Sequence, residues 1–144
     1  MSFTSTEPCS HQGENTWFTP PSIVDHLGEF DLDPCTVSYR PFNVARVHIE
    51  RDRGNCGLKV DWRRLRCFIN PPYGNELTPF IDKFINERPR GFMLIFARMG
   101  SKGIQKLLKE GAYVYCLRKR IHFMQKDGIK KTNAGNRFLF SFLD

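Results

Sequence analysis

Apolar residues along this chain fall in short blocks divided by glycine and proline, and their period changes from block to block. Phe92-Met93-Leu94-Ile95-Phe96 is an unbroken apolar run of five, which predicts a strand buried on both faces. Leu77, Phe80, Ile81 and Phe84 recur at three- and four-residue spacing and predict a helix over 76–87, broken by Pro89 and Gly91. Ile104, Leu107 and Leu108 predict a second helix over 101–110, with Gly111 past its end. A short helix is expected from Pro20-Pro21 through Ile23, Val24 and Leu27, with Thr19 as N-cap and Gly28 as its stop. Further strands are predicted over 30–33, ended by Pro34, over 43–49, over 67–70, over 113–117 and over 138–143. Residues 1–16 are polar and read as a flexible lead-in, and 17–144 as a single domain.

Strands that alternate with helices predict an α/β fold, mostly parallel, with the last two strands closing as an antiparallel edge hairpin. The interval from Pro34 to Asn43 is too short for a crossover helix with its loops, so a reduced sheet is expected.

Composition narrows the class of partner. Lys plus Arg number 22 against 15 Asp plus Glu, giving a net charge of +7 and a pI near 9.4. Such a balance favours a polyanion, nucleic acid above an anionic membrane surface. No apolar stretch approaches the ~20 residues that span a bilayer, and the first residues lack the apolar core of a signal peptide. Cys9, Cys35, Cys56, Cys67 and Cys116 form no C-x-x-C pair, and Cys9-Ser10-His11 has no second pair at ligand spacing, so no metal is expected. Cys67 and Cys116, in apolar runs, are expected as buried free thiols, and a reducing cytoplasm is the natural compartment.

The candidate chemistry lies in Asn70-Pro71-Pro72-Tyr73, at the end of the Cys67-Phe68-Ile69 run. Two prolines fix two φ angles and remove two donors, making a stiff turn where open α/β sheets place their ligands. The Asn70 side-chain oxygen and the Pro71 carbonyl can each accept an N–H bond from an exocyclic amine, while Tyr73 stacks on its base. An ordinary turn closing a strand is the alternative.

This turn resembles the catalytic motif of S-adenosylmethionine-dependent amino-methyltransferases. The wider pattern resembles the small phage-encoded DNA adenine-N6 methyltransferases. Trp17-Phe18-Thr19-Pro20-Pro21, Phe30-Asp31-Leu32-Asp33-Pro34-Cys35, Gly57-Leu58 with Trp62, and Arg120-Ile121-His122-Phe123 fall in that family's order. The resemblance implies methyl transfer to adenine N6 in DNA after base flipping, a reduced Rossmann-like methyltransferase sheet, and S-adenosylmethionine as cofactor. It gives the catalytic role to Asn70, Pro71, Pro72 and Tyr73. It makes Asp33 an acceptor for the ammonium of the cofactor's methionine part, with Thr19, Pro20 and Pro34 in the same corner. It also implies work in the cytoplasm of a bacterial host, where the methyl mark would bear on restriction. Two features depart from the family pattern. Thr36-Val37-Ser38-Tyr39 stands in place of the glycine-rich loop of larger relatives, and Cys56 in place of an acid before Gly57-Leu58.

DNA contact is expected from the basic stretch Arg118, Lys119, Arg120, Lys126, Lys130, Lys131 and Arg137, a solvated hairpin tip being the alternative. Arg63, Arg64 and Arg66 are further phosphate contacts by the same reasoning. A homodimer would widen the surface available to a duplex. Two rivals stand beside the methyltransferase reading: a degenerate relative that binds DNA without methylating it, and a methyltransferase for a protein amide. A Pro-Cys nucleophile at Cys35, as in cytosine-C5 chemistry, is disfavoured because Asp31 and Asp33 would raise its pKa.

Overall fold

The computed structural model describes residues 17–118, 120–125 and 136–142. Six strands form one sheet: β1 (Leu32–Thr36), β2 (Val47–Glu50), β3 (Arg66–Ile69), β4 (Arg90–Phe96), β5 (Tyr113–Cys116) and β6 (Arg137–Ser141). Their spatial order is β2-β1-β3-β4-β6-β5. The first four are mutually parallel, and β6 is antiparallel to both of its neighbours. The predicted closing hairpin is therefore present in altered form, with β6 inserted between β4 and β5. Because β6 runs against both, β5 points the same way as β4.

Period-two alternation divides the core between the two faces. Cys67, Ile69, Met93, Ile95 and Phe140 pack against α2 (Leu77–Glu87) and α3 (Lys102–Lys109) through Phe80, Ile81, Phe84, Ile104 and Leu107. Phe68, Leu94 and Leu139 face α1 (Pro21–Leu27), Phe30, Ile121 and Phe123. Both helices predicted at helical spacing form, and Ser101 caps α3 by accepting the Ile104 N–H at 3.4 Å.

Four local expectations need correction. Pro34 does not end its strand, which continues to Thr36. The proline fits because β1 meets β3 only at Leu32↔Cys67, and its register with β2 shifts between Asp33 and Thr36, so no ladder needs the missing donor. The second strand is shorter than predicted, beginning at Val47. Thr19 does not cap α1; Pro20 stands at the N-cap with no side-chain bond. Cys116 is exposed rather than buried, since β5 is an edge strand whose four residues are all exposed.

A close approach fixes the loop beside β1. A Cβ at Gly57 would run into the Pro34 carbonyl oxygen, so only glycine lets the chain pass there. The Gly57 carbonyl accepts the indole N–H of Trp62 at 2.9 Å. Trp62 is fully buried, stacks on Phe80 at 5.9 Å, and donates its backbone N–H to Glu87 Oε1 at 2.8 Å. The Gly57-Leu58…Trp62 stretch thus clamps the end of β1 to α2.

Candidate active site

The carboxyl ends of the parallel strands and the start of β6 meet at one edge of the sheet, and Asn70 leaves β3 there. Asn70 shares the face of Phe68, two residues earlier, which is the face carrying α1 and the segment before it. Its amide nitrogen donates to the Trp17 carbonyl at 3.4 Å and to Thr19 Oγ1 at 3.5 Å. A carbonyl can only accept, so the NH2 half of the amide is the half turned toward Trp17. Among the described residues no donor occupies Oδ1, which remains available to an incoming N–H.

The Trp17–Thr19 segment is itself held in place. Phe18 and Met124 exchange backbone hydrogen bonds of 2.8 and 2.9 Å, which ties the N-terminal motif to the residues following Arg120-Ile121-His122-Phe123. Two stretches far apart in sequence are brought together behind Asn70.

On the other side, Cys35 Sγ donates to the Asn70 carbonyl at 3.1 Å, and the Cys35 N–H donates to Asp33 Oδ1 at 3.2 Å. Thr19, Asn70, Cys35 and Asp33 are therefore linked through short contacts. Thr19, Pro20, Asp33 and Pro34 are all buried around this line. Burial pushes the Asp33 carboxyl up to about 7, against the Cys35 N–H and the positive charge of Arg40 and Arg51, which lower it. A buried carboxyl poised in this way gains from a cation placed beside it. Asp31, its sequence neighbour, is committed elsewhere, with its carboxylate on the Arg66 N–H at 2.8 Å. The Cys35 thiol is raised well above its usual range, first by burial and then by Asp33, which argues against a thiolate nucleophile.

Pro71 is buried and Pro72 half-buried, while the Tyr73 ring is 40% exposed and rests on Phe96 at 4.4 Å between centroids. Crowding at its hydroxyl raises the phenol pKa, and Arg137 opposes that shift.

The basic residues separate into distinct groups. Arg118 and Arg120 are exposed just beyond β5, at the same edge as Asn70. Lys119, Lys126, Lys130 and Lys131 lie outside the described residues. Arg137 is only 2% exposed, on β6 beside Tyr73, and does not stand on the outer surface. Arg63 and Arg64 precede β3 and so lie at the opposite edge of the sheet from Asn70. Arg66 is engaged inside the fold, donating to the Glu29 carbonyl at 2.7 Å and the Leu27 carbonyl at 2.5 Å, with its guanidinium 4.4 Å from the Phe30 ring centroid. Arg51, which the sequence did not single out, reaches Glu76 at 3.9 Å and acts on both Asp33 and Cys35. Phe96, the platform for Tyr73, also went unrecognised, because its apolar run marks it only as core.

Among the described residues no group of three or more His, Cys, Asp or Glu could hold a metal ion, and no helix is long and apolar enough to cross a membrane.

No solved structure matches the chain. It is similar to the DNA N-6-adenine-methyltransferase of Haemophilus phage HP1 (strain HP1c1), 24% identical over 134 residues that cover 86% of this chain and 75% of that protein. The sequence profile of the family described as DNA N-6-adenine-methyltransferase (Dam) matches residues 7–144, nearly the whole chain. The protein belongs to this Dam family of DNA N-6-adenine-methyltransferases.

Proposed function

We propose that the protein transfers a methyl group from S-adenosylmethionine to adenine N6 in DNA, with the target base turned out of the duplex into the edge formed by Asn70, Pro71, Pro72 and Tyr73. The observation that carries this reading is the state of the Asn70 amide: its NH2 half is tied to Trp17 and Thr19, leaving Oδ1 as an acceptor on a stiff turn. An exocyclic adenine amine is a weak nucleophile because its lone pair is delocalised into the ring. Acceptance of its two N–H bonds by Asn70 Oδ1 and the Pro71 carbonyl draws the nitrogen toward a tetrahedral geometry. These are fixed dipoles that need no reorganisation as charge develops. Tyr73 offers a ring to the base, a contact worth about 1–3 kcal/mol.

The residues around Asp33 suit the cofactor. Its buried carboxyl would hold the ammonium of the methionine part, with Thr19, Pro20 and Pro34 walling the same corner. S-adenosylmethionine supplies an electrophilic methyl group when bound. The sheet, with four parallel strands and helices packed on both faces, supports a reduced Rossmann-like arrangement for this binding. Arg118 and Arg120 would meet phosphates at the same edge.

The test is methyl transfer from labelled S-adenosylmethionine to unmethylated duplex DNA, followed by nucleoside mass spectrometry. N6-methyladenine is the expected product. DNA binding without any methyl incorporation would favour the degenerate reading, and a label found only on protein would favour the amide methyltransferase. Asn70→Ala is expected to lower turnover by about 100-fold or more while leaving DNA affinity nearly intact. Retained turnover in that variant would sink the proposed chemistry.

A further inference from the structure

Arg137 poses a problem that packing alone does not solve. It is 2% exposed, and among the described residues no carboxylate pairs with it. Among the described residues its Nε has no acceptor, and one terminal nitrogen reaches the neighbouring Asn136 carbonyl, at 3.4 Å. A buried cation without a counter-ion is costly, and Leu139, two residues along the same face of β6, shows that an apolar side chain suits this side of the sheet. The guanidinium is instead received by two rings, 3.2 Å from the Phe96 centroid and 4.8 Å from that of Phe123. Its charge also acts on the Tyr73 hydroxyl, whose ring rests on the same Phe96 ring.

Tyr73 needs such a hold. It follows two prolines, lies outside every strand ladder, and precedes the short 3-10 turn Gly74–Glu76. Phe96 and Arg137 are direct cross-strand partners at the ends of β4 and β6, so the register of that pair places the guanidinium next to the ring that Tyr73 rests on.

We propose that Arg137 is a positioning residue for Tyr73: clasped by Phe96 and Phe123 and acting by its charge on the phenol oxygen, it fixes the orientation of the aromatic face that the Asn70–Tyr73 turn presents to a base. The proposal rests on the reading of that turn as the site of methyl transfer. It departs from the sequence expectation, in which Arg137 contacts DNA from outside. Arginine suits the position because a planar guanidinium can stack on rings, which a lysine ammonium cannot reproduce.

The experiment has two arms. In protein labelled with 3-fluorotyrosine, the four tyrosines give separate fluorine resonances, and Tyr73→Phe identifies that of Tyr73. Arg137→Lys is expected to move and broaden the Tyr73 resonance and to leave that of Tyr113 in place. An unmoved Tyr73 resonance in a folded variant would overturn the proposal. In the second arm, Arg137→Lys and Tyr73→Phe are each expected to reduce kcat by about tenfold, with little further loss when combined. Additive losses would overturn the coupling. If Arg137→Lys does not fold, Tyr73→Phe alone decides, since full activity without the hydroxyl would show that the anchor does nothing. If the wild-type protein transfers no methyl group to DNA, the catalytic reading fails, while the fluorine arm still reports whether Arg137 holds Tyr73.

Discussion

At the scale of single residues, the decisive groups are those whose surroundings conflict with their chemistry. Asp33 is an acid held at about 7 by burial, against an ordinary value of 3.8. Its charged form is thus less favoured in the folded protein than in the unfolded chain. The stability associated with the protonated acid is fully present below about pH 4 and is lost as pH rises through about 7, roughly 4 kcal/mol in all. Asp33→Asn removes that loss. The variant is expected to be more stable than the wild type at pH 8, with the gap shrinking toward pH 5, as chemical denaturation at each pH would report. An equal gap at both values would show that the carboxyl does not titrate in this range. If the ammonium of S-adenosylmethionine binds there, it lowers the Asp33 pKa, so binding near pH 6.5 releases a proton. Calorimetry in buffers of different ionisation enthalpy reads that release directly. The placement of Asn70 just past the end of β3 was legible from sequence because the apolar run Cys67-Phe68-Ile69 before it reads as a buried strand. The inward placement of Arg137 left a fainter trace: in Arg137-Phe138-Leu139-Phe140-Ser141 it alternates in phase with Leu139, which marks a strand face rather than a loop. Its membership of a basic run masked that phase.

At the scale of elements, both longer helices and the strongest strand were readable because their periods are set by burial. α2 and α3 each have one face on the sheet, and β4 is covered on both. Boundaries were harder where a residue's usual meaning was cancelled by its neighbours. Pro34 reads as a strand end, yet it sits where β1 has almost no ladder with β3. Gly57 reads as loop punctuation, yet its reason is the Pro34 carbonyl pressed against its Cα, a contact between segments that no local period can reveal. Gly57→Ala is expected to destabilise the fold by about 1–3 kcal/mol, because either β1 or the loop before Trp62 must shift. Urea denaturation would show it as a lower midpoint at unchanged slope. A midpoint equal to that of the wild type would mean that the loop yields freely. Because the same carbonyl belongs to the Asp33-Pro34 corner, the variant is also expected to bind S-adenosylmethionine more weakly than its loss of stability alone would explain.

At the scale of the whole molecule, the net charge is +7, and among the described residues the basic side chains are not gathered on one edge of the sheet. Arg118 and Arg120 stand at the edge where Asn70 opens, whereas Arg63 and Arg64 stand at the opposite edge. Composition could announce a polyanionic partner but not which edge would meet it, since that depends on strand direction. The sheet order carries a different consequence, one that concerns how the protein is made. On the ribosome, β1 to β5 emerge before β6, so β4 waits with an open side and β5 has no neighbour among the strands. The parallel half of the sheet can assemble as it appears, but its antiparallel half closes only after residues 137–142 have left the exit tunnel. Until then Leu94 and Ile95 lack their cross-strand partners Leu139 and Phe138, and an unpaired edge invites association with other nascent chains. Stalled nascent chains with residues only to 118 exposed are therefore expected to be cut readily by protease, whereas those exposing residue 142 resist. Equal resistance at both lengths would mean that the first five strands already form a closed unit. Synthesis of this small protein thus carries a period of vulnerability that ends with a strand placed in the middle of its sheet rather than at the rim.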